Sequence, residues 1–428
     1  MSEKSIPNCF FDVMIIGGGA AGFFAAAQLT ELNPKATIGI LERGVEVMQK
    51  IKVSGGGRCN VTHACFDPKE LVKFYPRGSK ELLGAFYRFN PKDTMTWFER
   101  RGVKLKTESD GRVFPVSDNS QSIIHCLLQQ TEEKGVSILK GQAVKSIVTT
   151  DSGWEIQTKT HLFKTQKLIV ATGSNTQIWQ LLSDLGHQVV TPVPSLFTFN
   201  IKDVRIEGLA GISALVNVAV EKEKLQTTGA LLITHWGMSG PAVLKLSAWG
   251  ARILFEKNYQ FSIVVNWLQD TTFNESIEIL KTLKQSQPKK TIGGKSPFDF
   301  PNRLWDRLIT AANINLETRW ADLSRVQLQN LAEQLTRCRF DVNGKSTFKE
   351  EFVTAGGLDL KEIDCKTFES RLHENLYIIG EALNIDAVTG GFNFQNAWTG
   401  ATLAAQAIFS TAKETNKKLP DNANLTGF

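Results

Sequence analysis

The sequence predicts an α/β fold organised around a βαβ nucleotide-binding unit and interrupted in the middle by a smaller inserted body. Three observations carry this. A short apolar run over 11–16 leads through Gly17-Gly18-Gly19-Ala20-Ala21-Gly22 into an apolar helical stretch, and a second short strand follows. Near Pro192 the pattern changes to short alternating strands and then to helical periodicity. Near Phe352 it returns to the first type, with a strand running into glycines and a closing helix.

The elements follow in order. Residues 11–16 are β-rich and apolar, as a strand buried on both faces requires. After the glycine turn comes a helix over 23–32, and a strand over 36–41 closes a βαβ unit of about 30 residues. Lys50-Ile51-Lys52-Val53 is too charged for a buried strand and is expected to be loop. Beyond the Asp110-Gly111 turn signal, 114–117 is extended and 120–133 helical. Strands are expected over 137–147, 154–158 and 167–171, the last ending in Thr172-Gly173. Alternation over 215–220, 230–234 and 261–265 predicts a small β domain. Residues 274–335 have helical periodicity broken by Pro288, Gly293-Gly294, Pro297 and Pro301. A strand over 377–379 runs into Gly380-Glu381, a helix covers 396–409, and the polar tail from Thr411 is expected to fray. The implied segments are 1–194 and 352–428 for the outer body, with 195–272, 273–335 and 336–351 inserted.

Composition narrows the function. The 428 residues allow two or three domains, and 42% hydrophobic with 21% charged residues excludes wholesale disorder. The net charge of +6, from 49 basic against 43 acidic residues, is mild, so no nucleic-acid partner is expected. The stretch 281–307, with seven Lys/Arg against two Asp, reads as a solvated helical face and loop, with nucleic-acid contact as the lesser alternative. Cys9, Cys59, Cys65, Cys126, Cys338 and Cys365 form no Cys-x-x-Cys pair, which points to a reducing compartment, the cytoplasm, and to no zinc site. His125, His161, His187 and His373 are isolated and lack metal-ligand spacing. The start of the chain is polar, so no signal peptide is expected. Residues 13–30 carry no charge, yet Gly17 to Gly19 divide them, and no membrane span is expected.

The glycine turn carries the first chemistry. It follows a strand and precedes a helix, and Glu42 ends the next strand about 20 residues on. Gly17 permits the tight turn, Gly19 lets backbone approach a pyrophosphate, and Gly22 lets helix and strand pack closely. The helix start offers free N–H groups to the phosphates, and Glu42 accepts ribose hydroxyls. An adenine dinucleotide is expected here. Ser54-Gly55-Gly56-Gly57-Arg58-Cys59-Asn60 is a second glycine-rich loop, with Arg58 available to a phosphate or flavin oxygen. Cys59 is either redox-active or a packed small residue. Thr389-Gly390-Gly391-Phe392-Asn393 precedes the last helix, whose start favours negative charge on a flavin edge.

These strings, with Gly111-Arg112-Val113-Phe114-Pro115, Ala171-Thr172-Gly173, Thr234-His235-Trp236-Gly237-Met238-Ser239-Gly240-Pro241 and Thr354-Ala355-Gly356-Gly357, occur in an order that resembles the BaiN-like (YhiN-type) family of NAD(P)/FAD-dependent flavoproteins. The resemblance spans nearly the whole chain. It implies a glutathione-reductase-type FAD domain made of both outer blocks, with an inserted β-barrel and helical part. With the loop readings it implies non-covalent FAD contacts at Gly17, Gly19, Ala20, Ala21, Gly22, Glu42, Arg43, Lys50, Ser54, Gly56, Gly57, Arg58, Cys59, Asn60, Ala171, Thr172, Gly173, Gly380, Glu381, Asp386, Gly390, Gly391, Phe392 and Asn393. Ala143 and Val144 should meet the adenine. The chain departs from the family pattern at Met48, Lys52, His63, Asn384, Ala387 and Phe392.

Two residues are catalytic candidates. His235 either gives a proton to substrate or is a structural histidine. Arg112 either anchors a substrate carboxylate or is a solvated turn arginine. The expected activity is an FAD-dependent oxidoreductase acting on a small organic molecule, with NAD(P)H bound transiently because a second Gly-x-Gly-x-x-Gly turn is missing. The alternatives are an oxidase of an amine or hydroxy compound and a flavin redox sensor.

Overall fold

The computed structural model of the chain describes residues 8–346 and 353–415. They belong to two units, one made of the residues up to Pro192 with those from Gly356, the other of Val193–Ala355.

The first unit is built on parallel strands in the order Leu376–Ile378, Leu162–Val170, Asn8–Ile16, Ile38–Leu41 and Ser137–Leu139. Val13 to Ile16 are no more than 3% exposed, the burial expected of a parallel sheet covered on both faces. The hairpin Val144–Thr150 and Gly153–Thr158 adds antiparallel strands beside the first half of Leu162–Val170. Helix Ala20–Leu32 starts three residues before the periodicity predicted, because Ala20, Ala21 and Gly22 form its first turn without an apolar signal. It packs on the last helix, Phe392–Thr415. The Phe24 and Trp398 rings lie 4.9 Å apart, and buried Gln28 donates to Thr402 Oγ1 at 2.9 Å.

Local expectations are corrected in three places here. Residues 50–53 are not loop: Gln49–Val53 is a short helix that buries Ile51 and turns Lys50 and Lys52 outward. The last helix begins at Phe392 rather than 396, directly against Gly390-Gly391, and continues past Thr411; residues after 415 lie outside the described ones. Helices Ser79–Arg88 and Pro91–Glu99 occupy a stretch to which no element was assigned. The second has a readable start, a capping box between Asn90 and Asp93 with Pro91 in the first turn.

The second unit is a barrel with helices. Its strands run Cys338–Asn343, Gln260–Asn266, Ser213–Val220, Gln226–Thr234, Gly237–Ser239, Thr198–Asn200 and Lys345–Ser346. The first and last are one stretch joined at Gly344. The Gly344 carbonyl accepts from Asn200 N–H at 3.0 Å, and its N–H donates to the Tyr259 carbonyl at 2.8 Å. At that residue the two ends of the sheet meet, so the sheet curls into a barrel. Helices Pro241–Trp249 and Ala251–Glu256 lie between the expected strands 230–234 and 261–265, in a stretch to which no element was assigned. Gly240 and Pro241 start the first: Gly240 has φ 92°, and a Cβ there would stand 2.8 Å from the Ala230 carbonyl. Helices Phe273–Ser286, Asn302–Ala311 and Arg325–Thr336 follow. Barrel residues Phe199, Val218, Ile233 and Phe340 share one apolar cluster with Trp305, Leu308 and Leu331 of the helices. The three inserted segments therefore form one core, and residues 347–351 of the last lie outside the described ones. Among the described residues no helix is long and apolar enough to cross a membrane.

One buried histidine gives the first unit a pH dependence. His187 Nδ1 is 2.9 Å from Glu362 and Nε2 is 3.1 Å from Ser370 Oγ, so the ring ties the antiparallel pair Ile363–Asp364 and Glu369–Ser370 to the chain after helix Thr176–Asp184. Burial holds its pKa below the ordinary value although Glu362 opposes this. The unfolded chain then binds the proton more readily than the folded one. The stability His187 lends is full above about pH 6.5 and is lost as pH falls through that value. Thermal unfolding between pH 8 and 5 should show a falling Tm, and His187→Gln should flatten part of that slope. A variant with the unchanged slope contradicts the assignment.

Candidate functional site

Steric facts set the first turn. Gly17 has φ 114°, and a Cβ there would lie 2.5 Å from the Ala171 carbonyl oxygen; one on Gly22 would lie 2.0 Å from that of Gly17. A Cβ on Gly19 would meet nothing within 4 Å, so bare backbone faces open space at the helix start. No side chain caps that helix and no acidic residue stands in its first turn. Its free N–H groups suit a pyrophosphate.

Glu42 stands beside this turn. Its Oε2 accepts from Gly18 N–H at 2.9 Å and its Oε1 from Gly44 N–H at 2.7 Å, which fixes the carboxylate while each oxygen keeps a further lone pair. Next to it is a cavity lined by Gly17, Arg43, Ala143, Val144 and Thr172, together with Gln142, Asn175, Gln177 and Ile178, which the sequence did not single out. Thr172 Oγ1 is buried there without a hydrogen-bond partner among the described residues.

The other glycine loops join the same edge, at the carboxyl ends of the parallel strands. Met48 N–H donates to the Gly18 carbonyl at 2.8 Å, which ties helix Gln49–Val53 to the first turn. Lys50 forms an ion pair with Glu381, and a Cβ on Gly173 would sit 3.5 Å from that carboxylate. Gly380 backs onto Ala21. Ser54 Oγ donates to the Ile51 carbonyl at 3.0 Å, and the Gly57 carbonyl accepts from Ser120 at 2.9 Å. Gly56 faces open space. In the amide orientation that satisfies its neighbours, Asn60 accepts from Gly391 N–H at 3.0 Å. Asn393 pins the preceding turn by accepting from Ala387 N–H at 3.0 Å. Phe392 stacks on Phe74, at 4.3 Å, and on His63, at 4.6 Å, and the last two are themselves 5.7 Å apart. His63 and Phe392 are both departures from the family pattern, and they touch.

Four expected residues are engaged elsewhere. Arg58 donates to Glu108 at 2.7 Å and to the Gly55 carbonyl of its own loop at 3.4 Å and lies 4.0 Å over the Phe114 ring, and the Glu108 hydrogen bond raises its pKa. Asp386 is fully buried in a paired contact with Arg77. Arg112 is held by Asp110 at 2.7 Å and Glu108 at 3.1 Å, the turn-arginine alternative. Cys59 is fully buried and burial pushes its thiol up to about 12, which favours the packed-residue alternative. His235 belongs to the second unit. Thr234 pairs with Gly237, which leaves His235 and Trp236 as a two-residue hairpin tip. His235 is exposed, with no hydrogen-bond partner among the described residues. The described residues contain no cluster able to hold a metal ion.

The strip fits FAD on three counts: bare backbone at Gly19 and Gly56, a fixed carboxylate beside a cavity, and the orphaned Thr172 hydroxyl. Glu42→Ala should weaken FAD binding by about 1.5–3 kcal/mol, roughly ten- to a hundredfold in Kd. Gly22→Ala should abolish retention, since its Cβ has no room. Equilibrium titration of the apoprotein measures both, and an unchanged Kd for either refutes the placement. Cys59 should resist iodoacetamide in the native protein and react on unfolding, as peptide mass mapping would show.

The HI0933-like protein Rossmann domain matches residues 11–407. A ribosomal RNA dihydrouridine synthase of Haemophilus influenzae is 30% identical over 92% of this chain and 98% of its own length. A 3-dehydro-bile acid delta(4,6)-reductase of Clostridium scindens is 26% identical over 92% of this chain and 98% of its own length. Among solved structures, a 3-ketosteroid-Δ4-(5α)-dehydrogenase of Rhodococcus jostii superposes with a TM-score of 0.51 at 11% identity, over 94% of this chain and 97% of that one, a likeness of fold. With its glycine strip, Glu42 cavity and inserted barrel, the chain belongs to the HI0933-like family and is an FAD-dependent oxidoreductase of the BaiN/YhiN type.

Proposed function

We propose that this protein reduces a carbon–carbon double bond conjugated to a carbonyl, with NAD(P)H as reductant and a uridine base of RNA as acceptor. The observation that carries the reading is the nearly full-length similarity, at 30% and 28% identity, to two ribosomal RNA dihydrouridine synthases. Dihydrouridine is uridine saturated between C5 and C6, next to the C4 carbonyl. The name of the bile-acid relative denotes saturation of double bonds conjugated to a C3 ketone. The chemistry common to both is a hydride to the β-carbon and a proton to the α-carbon. For uridine the balance is uridine plus NAD(P)H plus a proton, giving dihydrouridine and NAD(P)+. The reading departs from the expectation of a small-molecule acceptor without nucleic acid.

Bound FAD supplies the two-electron redox chemistry that links the two half-reactions. The chain binds and orients. The first helix start holds the pyrophosphate, Glu42 the ribose, and the start of helix Phe392–Thr415 favours negative charge beside Gly391. Of the catalytic candidates, Arg112 is occupied by two carboxylates, and His235, exposed and unpaired, is the proposed proton donor to the α-carbon. NAD(P)H binds weakly and transiently, since the only Gly-x-Gly-x-x-Gly turn in the sequence serves FAD.

Anaerobic stopped-flow mixing tests the reading. NADH or NADPH should bleach the oxidised flavin band at a rate nearly linear in nicotinamide concentration. Deproteinised ribosomal RNA should then restore the band, with a matching yield of dihydrouridine by nucleoside mass spectrometry. His235→Gln should slow the second phase at least tenfold and leave the first unchanged. Restoration by a 3-oxo-4,6-diene steroid and not by RNA would replace the acceptor. Bleaching by a small amine and by neither nicotinamide would make the protein an oxidase.

A further inference from the structure

We propose that the helical part of the inserted unit carries a docking surface for the phosphate backbone of RNA, formed by Lys289, Lys290, Lys295, Arg303, Arg307 and Arg319. The proposal rests on the reading of an RNA acceptor. All six side chains are exposed, and among the described residues none forms an ion pair with a carboxylate. In the basic stretch 281–307 only Lys281 has such a partner, Glu278 at 2.8 Å. Exposed cations elsewhere in the chain are commonly paired, as Lys73 is with Glu70, Lys106 with Asp118, Arg112 with Asp110 and Arg339 with Asp341.

The backbone brings the six together. Thr291 and Arg319 form an isolated antiparallel bridge, and Trp320 N–H donates to the Lys290 carbonyl at 2.9 Å, so Lys289, Lys290 and Arg319 stand on adjoining stretches of chain. Trp305 Nε1 donates to the Ile292 carbonyl at 2.8 Å, and Gly294 N–H donates to Asp306 at 2.9 Å. These bonds fasten the loop bearing Lys295 to helix Asn302–Ala311, which carries Arg303 and Arg307 one turn apart. They also occupy Asp306, one of the two acids in the stretch. The guanidinium of Arg303 donates to the Gly208 carbonyl and that of Arg307 to the Glu207 carbonyl at 3.2 Å, contacts that orient them without neutralising them.

Unneutralised like charge held on a rigid base is a binding footprint for a polyanion, which gains affinity by releasing counterions. The base is rigid: Trp305 and Trp320 are buried beneath it with stacked rings. No large apolar side chain is exposed between 281 and 319, so the surface lacks the apolar wedge that a membrane-binding element inserts. A phosphate backbone is the occupant that this surface fits.

The test uses full-length, FAD-loaded protein and deproteinised ribosomal RNA, with binding measured by filter retention across a KCl series. The variant K289A/K290A/R319A removes three exposed cations whose side chains form no hydrogen bond or ion pair among the described residues. The control K80A/K92A/K104A removes three exposed lysines of the first unit, for an equal change in net charge. The first variant should lower the slope of log affinity against log salt by about 2–3, at roughly 0.7–0.9 per lost phosphate contact. At 0.1 M KCl it should also lose at least tenfold in affinity. FAD content and bleaching by NADH should stay at wild-type levels. An unchanged slope, or an equal loss in the control, overturns the docking surface. Dihydrouridine yield measured in parallel judges the acceptor separately: its absence in wild type with an altered slope condemns the acceptor reading, and its presence with an unaltered slope condemns the docking surface.

Discussion

The contact between the first helix and the last is the constraint on which the catalytic half of this protein depends. Helix Ala20–Leu32 carries the phosphate-binding turn at its start, and helix Phe392–Thr415 begins at the last glycine loop. Phe24 against Trp398 and Gln28 against Thr402 lock them side by side. The association is apolar with one satisfied buried hydrogen bond, so it contributes the stability of burial without the cost of an orphaned amide. Because the two ends of the chain are fastened there, the whole insertion can be carried between them while the glycine loops stay in register.

Around that frame the glycines act by subtraction. At Gly17 and Gly22 a side chain would enter neighbouring backbone, so their role is packing. At Gly19 and Gly56 nothing stands where a side chain would be, so their role is to leave backbone bare to a ligand. A single motif therefore holds residues with opposite reasons for being glycine. The same division separates the charges. Arg58, Arg77 and Arg112 are bound to carboxylates and serve the architecture, whereas Arg303 and Arg307 of helix Asn302–Ala311 form no ion pair with a carboxylate among the described residues. Charge that is spent on the fold cannot serve a partner, and the distinction is invisible in a net charge of +6.

The inserted unit solves a different problem. A sheet is vulnerable at its edges, and here the two ends of the sheet are consecutive pieces of one stretch of chain that meet at Gly344. Its helices share the barrel's core rather than forming one of their own, which suits short helices whose amphipathic faces need a partner.

The sequence by itself determined the βαβ unit, because an apolar strand, a glycine turn, a helix and Glu42 are local in chain order and each has a steric or electrostatic reason of its own. It also determined that the middle of the chain differs from the ends, since periodicity is local too. It did not determine the helix over Gln49–Val53, where the charges of Lys50 and Lys52 mask the single buried Ile51, or helix Pro241–Trp249, hidden among strands. Nor did it decide the fates of individual charged side chains. Arg58 and Asp386 are plausible ligands in the sequence, and only the fold brings Glu108 to the first and Arg77 to the second. An ion pair joins residues 50 or 309 positions apart, and its choice follows from which loops the packed helices bring together. That choice is tertiary because Coulomb attraction depends on distance in space and on exclusion of water, and neither is written along the chain.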